Sequence, residues 1–278
     1  MPAGMLDDAA LEHDPAVSRL ARAIRERCGI DYGGNLYSLA VKAGARVRAL
    51  GLSFAEYLGH LDQHPTEWDA LIEAVTVNET YFFREESQLE ELVRAVLPRF
   101  ADRDEIRIWS AACSTGEEPY SLAMTIEDTG IVPLDRIRIY ATDINRKVLR
   151  IAERGFYPAQ SMCFRRTPER MKARYFDEAP GGYRVKEQIR ERVRFMRWNL
   201  LRDAAGVLPV MDVIFCRNVL IYFDEASILT VVSHLNGRLA EGGYLFLGHA
   251  ETVSGLLPGL RTINAPSTFY YRKEGGTA

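Results

Sequence analysis

The chain has 278 residues, enough for one large domain and a smaller one, and its 47% hydrophobic and 26% charged residues are typical of a soluble globular protein. It has no apolar run of about 18 residues and no basic-then-apolar leader, so we expect neither a membrane span nor a secretory signal. The net charge of -3 gives no general case for nucleic-acid binding, and the four scattered cysteines predict reduced thiols in a cytoplasmic protein without a metal site.

The N-terminal part of the chain is predicted to be helical. Residues 1–15 are interpreted as a mobile leader. Apolar residues then recur at helical spacing, as at Val17 and Leu20. We predict a helical domain over 16–85 and a linking helix over 86–99.

Basic residues are concentrated in the first half of this helical domain. Lys42 and Arg46 lie one helical turn apart with Arg48 close by, whereas residues 53–79 contain acids and no Lys or Arg. A basic helix face is most often simply solvated. In an acidic protein it can also steer an acidic partner electrostatically.

The most informative stretch predicts a buried strand, a tight loop and a helix start. Ile106 and Ile108 alternate with other residues of the strand. From Ser110 to Gly116 the side chains are small, so a ligand can approach the backbone closely. Neither a dinucleotide glycine fingerprint nor a phosphate-binding loop can be written through this stretch.

Two acids, Glu117 and Glu118, occupy the start of the predicted helix. A phosphate site would have backbone amides and no negative charge there. The acids therefore favour a ligand with hydroxyls or positive charge, such as S-adenosylmethionine (SAM). The alternative is that they only stabilise the helix N-terminus.

A second strand, over residues 137–143, ends in the carboxylate of Asp143. At this position in a doubly wound sheet, a carboxylate commonly holds ribose hydroxyls. Asp143 could instead cap the next helix. Because the small-residue loop ends the preceding strand, we favour the ribose.

The rest of the chain continues the α/β pattern with one interruption. Residues 156–198 are predicted to contain a helix and a small antiparallel insertion, with Pro180 and two glycines supplying a turn. A third buried strand is predicted over 211–218. The following helix is predicted to end at Gly242 and Gly243 before another strand. Residues 262–272 are predicted to form a closing antiparallel pair.

Together, these segments resemble the CheR family of chemotaxis protein-glutamate O-methyltransferases. The matching stretches occur in the family's order over residues 78–85, 109–121, 141–144, 199–201, 214–224 and 248–251. The resemblance implies an α/β, class I SAM-dependent methyltransferase domain of the Rossmann-like type over 100–278. It also implies a small β-subdomain at about 156–198 and an all-helical N-terminal domain.

The resemblance also implies site residues. Those for SAM are Asn78, Thr80, Arg84, Glu118, Asp143, Asn199, Leu200, Arg217 and Asn218. The family's catalytic pair falls on Arg84 and Tyr222. Receptor recognition falls on the basic face of Lys42, Arg46 and Arg48.

The implied reaction is methylation of glutamates on the cytoplasmic helices of a methyl-accepting chemoreceptor, with S-adenosylhomocysteine (SAH) as product. Such a carboxylate is already ionised near neutral pH and needs no general base. We expect a monomer that binds neither nucleic acid nor the membrane interior. The short loop between Phe176 and Arg184 indicates a member that needs no tethered receptor peptide. The alternatives are a non-catalytic module that senses SAM or SAH, and a methyltransferase acting on another substrate.

Overall fold

The computed structural model describes residues 14–203 and 207–275. The chain divides into two compact units. Of the described residues, those up to 77 and segment 222–228 form the helical unit, and the others of 78–221 and from 229 onward form the sheet unit. Apart from its last two residues, the predicted leader lies outside the described residues.

The described part of the helical unit begins with four helices: Pro15–Cys28 (α1), Leu36–Ala49 (α2), Phe54–Gln63 (α3) and Glu67–Val75 (α4). Their starts follow from capping side chains. The Asp14 carboxylate accepts from the Ala16 amide at 2.7 Å, and Ser53 and Glu56 form a capping box before α3. The apolar faces include Leu20, Ile24, Leu39, Tyr57 and Leu71, which are buried.

The described strands are Ile106–Ala111 (β1), Ile137–Asp143 (β2), Phe156–Pro158 (β3), Phe176–Ala179 (β4), Gly182–Val185 (β5), Val193–Arg197 (β6), Met211–Cys216 (β7), Leu239–Leu247 (β8), Leu260–Ala265 (β9) and Thr268–Lys273 (β10). Seven of them form one sheet in the order β6-β2-β1-β7-β8-β10-β9. The first five strands of that order are parallel, and β10 is antiparallel to both its neighbours. The predicted closing antiparallel pair is therefore confirmed.

The remaining helices are Glu86–Glu91 (α5), Glu117–Thr129 (α6), Arg146–Arg154 (α7), Glu169–Tyr175 (α8), Glu187–Arg190 (α9) and Glu225–Arg238 (α10). After α5 the chain continues as a π-helical segment, Leu92–Val96, and a 3-10 segment, Leu97–Phe100. The predicted linking helix is thus helical but changes type along its length. Pro98 contributes to this change because it lacks an amide hydrogen.

The core of the sheet unit is built on central strands that are buried on both faces. All six residues of β7 are buried, as are Ile106, Ile108 and Trp109 of β1. Buried parallel strands read as nearly continuous apolar runs. Asp212 is the exception within β7, and it accepts from the Arg107 amide at 2.8 Å.

Two predicted boundaries differ from the structure. The units divide between Val77 and Asn78, ahead of the predicted residue 85, because Phe82 and Phe83 are buried in the core of the sheet unit. The small antiparallel sheet contains β3, β5 and β4, whereas β6 pairs parallel with β2 in the main sheet. The predicted β-subdomain over 156–198 is therefore too long at its C-terminal end.

The predicted role of Gly242 and Gly243 as the end of a helix is wrong. α10 ends at Arg238, and both glycines lie inside β8. A Cβ on Gly243 would lie 2.8 Å from the carbonyl oxygen of Ala240 and 2.9 Å from that of Asp212. The glycine therefore permits a close approach of β8 to β7, at an irregularity in their register.

We predict that Gly116→Ala destabilises the protein by about 2–4 kcal/mol. Gly116 has φ 95°, and an added Cβ would lie 2.8 Å from the Cβ of Ala152. The matched control is Gly237→Ala, near the end of α10, where an added Cβ meets nothing within 4 Å. That change is expected to be neutral or stabilising by up to about 1 kcal/mol. Urea unfolding of both variants tests this, and equal losses of stability would contradict it.

Candidate functional site

Backbone strain marks three loops of the sheet unit. Among the described residues, all five non-glycine residues with positive φ lie in these loops, namely Phe83, Glu85, Ala112, Ser114 and Asn218. Such conformations each cost on the order of 1–3 kcal/mol and cluster at functional sites. The loops span 78–85, 112–116 and 217–221, and all three contain small or polar residues that the sequence singled out.

Asp143, at the end of β2, holds the loop between β1 and α6. Its carboxylate accepts from the Ser114 amide at 2.9 Å and from the Asn145 amide at 2.9 Å. Burial raises its pKa to about 6, and the amide hydrogen bonds act in the opposite direction. α7 is capped by the Asn145 side chain, which accepts from the Lys147 amide at 2.9 Å. The alternative of Asp143 as the helix cap is therefore wrong.

The structure places three other predicted residues near Asp143 and the loop that it holds. The Ser114 hydroxyl donates to the Asn78 carbonyl oxygen at 2.9 Å. The Trp198 amide donates to the Asp143 carbonyl oxygen at 3.0 Å, so Asn199 and Leu200 follow directly. The Asn199 side chain accepts from the Leu201 amide at 3.0 Å. These contacts gather one half of the predicted SAM site around Asp143 and the β1–α6 loop.

The other half is organised by an ion pair between Glu118 and Arg217. The Arg217 Nε donates to Glu118 Oε2 at 2.7 Å, and the Ser110 hydroxyl donates to Glu118 Oε1 at 2.6 Å. The Arg217 Nη1 donates to the Arg84 carbonyl oxygen at 2.8 Å, with the Gln88 side-chain oxygen at 3.4 Å. The Arg217 side chain is 2% exposed. Glu118 and Arg217 therefore form an ion pair with each other. Direct contact of either residue with SAM stays a prediction.

Glu251 fixes the loop that follows β7. Its carboxylate accepts from the amides of Gly248 at 2.7 Å, Asn218 at 2.8 Å and Ile221 at 3.3 Å. The Asn218 side-chain amide donates to Glu85 Oε1 at 3.3 Å. Residues 85 and 251 lie in motifs that the sequence singled out, but without an assigned role.

Gln88 is a further residue that sequence reasoning missed. It is buried and donates to the Leu247 carbonyl oxygen at 2.7 Å while its own oxygen faces Arg217. A polar residue on a predicted helix carries no signal for such distant partners.

Arg84 is held only weakly by its own unit. Its Nη1 donates to the Glu79 carbonyl oxygen at 3.3 Å, and its Cζ lies 5.5 Å from the centroid of the Tyr81 ring. It forms no ion pair with any residue in the described ranges. Thr80 lies in the same segment and is partly exposed. Arg84 is therefore a cation that can meet an anionic ligand.

The predicted recognition residues lie in the helical unit, where two of the three are engaged. Both Arg46 Nε and Nη2 donate to the Glu67 carboxylate at 2.5 Å. Lys42 Nζ donates to the Tyr32 hydroxyl at 3.0 Å. Arg48 is exposed. This face is therefore less available to a partner than its three charges suggest.

Tyr222 belongs to the segment that packs with the helical unit. Its carbonyl oxygen accepts from the Asp31 amide at 2.8 Å. Its pairing with Arg84 in catalysis stays a prediction.

The described residues contain neither a metal-ligand cluster nor a membrane-spanning helix. Across 14–203 and 207–275, no group of three or more His, Cys, Asp or Glu side chains is placed to hold a metal ion. None of the helices in those ranges is long and apolar enough to cross a membrane.

Comparisons with known proteins match both units. The family model for the CheR methyltransferase, SAM binding domain, matches residues 78–269, and that for the CheR methyltransferase, all-alpha domain, matches 15–76. Chemotaxis protein methyltransferase 1 of Pseudomonas aeruginosa is 35% identical over 90% of this chain and 95% of that protein. Chemotaxis protein methyltransferase 2 of Vibrio cholerae is 45% identical over 68% of this chain and 67% of that protein. The chemotaxis protein methyltransferase of Escherichia coli is 38% identical over 87% and 86%, respectively.

The buried acids predict a specific pH dependence of stability. Burial raises the pKa of Asp143 to about 6 and that of Glu117 to about 7, so the folded state binds more protons than the unfolded state between their ordinary pKa values and these raised ones. Their contribution to stability therefore falls as pH rises from about 4 to about 7.

Asp143→Asn removes one of these two groups. At about 1.4 kcal/mol per pKa unit, the fall in its free energy of unfolding with pH is expected to be smaller than that of the wild type by up to about 3 kcal/mol. Urea unfolding between pH 4.5 and 8 measures this difference. Parallel pH profiles for the two proteins would contradict the raised pKa of Asp143.

A matched pair of variants tests which arginine of the basic face stabilises the protein. Arg46→Gln leaves the nearly buried Glu67 without its ion-pair partner, so we expect a loss of about 1–3 kcal/mol in unfolding free energy. Arg48→Gln removes the same charge from an exposed side chain and is expected to change stability by less than about 0.5 kcal/mol. Thermal and urea unfolding check this. A larger loss of unfolding free energy for Arg48→Gln than for Arg46→Gln would contradict a stabilising role of the ion pair between Arg46 and Glu67.

Proposed function

We propose, because the chain belongs to the CheR methyltransferase family, that it methylates glutamate side chains on the cytoplasmic helices of a methyl-accepting chemoreceptor, with SAM as donor and SAH as product. The family membership confirms the resemblance drawn from the sequence, and with it the class I SAM-dependent methyltransferase fold preceded by a helical domain. The observation that carries the proposal is the buried Asp143 carboxylate beside a strained loop of small residues.

The residues around Asp143 suit a nucleoside. Both carboxylate oxygens accept from backbone amides, and a carboxylate has about four acceptor sites, so acceptor capacity remains for the hydroxyls of a ribose. The small side chains of 112–116 leave the backbone open to a close approach. Asn78 is linked to this loop through the Ser114 hydroxyl, and Asn199 and Leu200 follow Trp198, whose amide binds the Asp143 main chain. These three residues line the adenine end in this proposal.

The remaining predicted residues suit the amino-acid end of SAM. Arg84 supplies a positive charge for the carboxylate of SAM, and Thr80 lies close to Arg84 in the chain. Glu118 keeps acceptor capacity for an ammonium, and Arg217 and Asn218 hold the loop that borders it. We assign these contacts from the resemblance and from the chemistry of the side chains.

Bound SAM supplies a methyl group on a positively charged sulfur. The substrate carboxylate is ionised near neutral pH, because a glutamate has a pKa of about 4.3. One of its oxygens forms a bond to the methyl carbon as the carbon–sulfur bond breaks and the electron pair goes to sulfur. No proton moves, so the protein needs only to align the two reactants and exclude water.

Arg84 and Tyr222 are proposed to align the acceptor. Arg84 orients the incoming carboxylate, and the Tyr222 hydroxyl positions that carboxylate or the donor methyl group. The carboxylate loses its charge in the transition state, so binding it too strongly would slow transfer. The weak hold on Arg84 within its own unit fits this requirement, because the guanidinium can adjust to the substrate.

We propose further that the enzyme is a cytoplasmic monomer that acts on protein and not on nucleic acid. Lys42, Arg46 and Arg48 face the acidic receptor in this proposal, with Arg48 the most accessible of them. β4 and β5 are joined by only two residues. This short turn supports recognition of the receptor without a tethered peptide.

The test combines binding and turnover. SAH binding is measured by calorimetry, and transfer of labelled methyl groups from SAM is measured on a purified chemoreceptor cytoplasmic fragment. The expected product is an ester, so base should release the label as methanol. Tyr222→Phe is expected to lower kcat about 100-fold or more and to leave SAH affinity within a few fold. Tyr37→Phe, an exposed tyrosine of the helical unit, is the matched control and should leave both unchanged.

The outcomes separate the alternatives. If the folded wild type did not bind SAH, the proposed methyltransferase activity would be excluded. SAH binding without transfer to the receptor fragment would favour the sensing module or another substrate.

A further inference from the structure

Two guanidinium groups lie against the ring of Tyr81. The Cζ of Arg165 is 3.7 Å from the ring centroid, and the Cζ of Arg84 is 5.5 Å from it. Arg84 comes from the loop over 78–85, whereas Arg165 follows the 3-10 turn Met162–Phe164. The shared ring therefore brings a second arginine close to the arginine proposed to orient the acceptor.

The backbone and an aromatic ring hold Arg165 in place, whereas the acid that it binds through Nη2 can be exchanged for another. Its Nη1 donates to the Met162 carbonyl oxygen at 3.0 Å, and the aromatic ring supports its plane. Its Nη2 donates to Glu79 Oε1 at 2.8 Å. The Arg165 side chain is 27% exposed and that of Glu79 is 72% exposed. An ion pair with so exposed an acid contributes little to stability, so another carboxylate can replace Glu79 at small cost.

The surroundings of Arg165 favour an anionic ligand. Two arginines share the Tyr81 ring, and the Glu79 carboxylate accepts a hydrogen bond from one of them, Arg165. The buried Glu117 also acts on Arg165 electrostatically, but it lies inside the protein and is not exposed as Glu79 is. Residues 165–174 contain five basic residues and one acid. A guanidinium presents donors in a planar fork that matches a carboxylate, which a lysine cannot do.

We propose that Arg165 binds the carboxylate of an acidic residue next to the glutamate that is methylated, and that this carboxylate replaces that of Glu79. The inference rests on the proposed function and adds to it a preference for acidic substrate sequences. The bound acid keeps its charge throughout the reaction. Arg165 therefore acts on substrate binding and not on the methyl-transfer step.

The experiment compares Arg165→Gln with Arg166→Gln, which removes the same charge from the neighbouring exposed residue. Methyl transfer is measured on a chemoreceptor cytoplasmic fragment and on the same fragment with the acids flanking the modified glutamate replaced by glutamine. Arg165→Gln is expected to raise KM for the acidic fragment about tenfold, with kcat within twofold. The difference in KM between the two fragments should disappear in this variant and persist in Arg166→Gln.

A second variant tests the opposite direction. Glu79→Gln removes the acid that competes for Arg165, so KM for the acidic fragment should fall several-fold. SAH affinity, measured by calorimetry, should be unchanged in Arg165→Gln and Glu79→Gln.

Three results would overturn the proposal. Equal effects of Arg165→Gln and Arg166→Gln would mean that only overall charge matters. Weaker SAH binding by Arg165→Gln would assign this arginine to the carboxylate of the cofactor. A wild type that binds SAH and methylates neither fragment would overturn the proposed function, and this inference with it.

Discussion

The ion pair between Glu118 and Arg217 is the interaction on which the candidate site depends. It joins the start of α6 to the end of β7, and Arg217 also binds the backbone of Arg84. The Arg217 side chain is 2% exposed and that of Glu118 is 12% exposed, so removing either partner is expected to cost about 3 kcal/mol, although Glu85 Oε2 lies 3.9 Å from Arg217 Nη1. Three segments that are distant in the chain are thereby held in one arrangement, and each of them carries a predicted functional residue.

Carboxylates stabilise the strained loops around this pair. Asp143 accepts from the backbone of the β1–α6 loop, and Glu251 accepts from the backbone of the loop after β7. Both acids satisfy amides that left-handed residues present, which offsets part of the cost of strain. The acids of the site therefore mainly bind the protein itself. Arg84 and Arg165 remain as cations suited to an acidic substrate.

The sequence predicted what depends on local pattern. β2 has the predicted boundaries because its alternation and its terminal carboxylate are local features. The place of β6 in the main sheet could not be predicted, because it depends on pairing with β2, from which the small antiparallel sheet separates it in the chain. Motifs located the three strained loops, but the partners of Arg46 and Arg217 are set by tertiary packing. Sequence reasoning treated both arginines as available to a ligand, and their ion pairs limit that availability.

A crystal structure of the complex with SAH would show directly whether Asp143 and the β1–α6 loop form the nucleoside site. The ribose hydroxyls are expected at about 2.6–3.2 Å from the Asp143 carboxylate. The Ser114 amide should keep its hydrogen bond to the same side chain. A nucleoside bound away from the end of β2, with no contact to Asp143, would contradict this assignment.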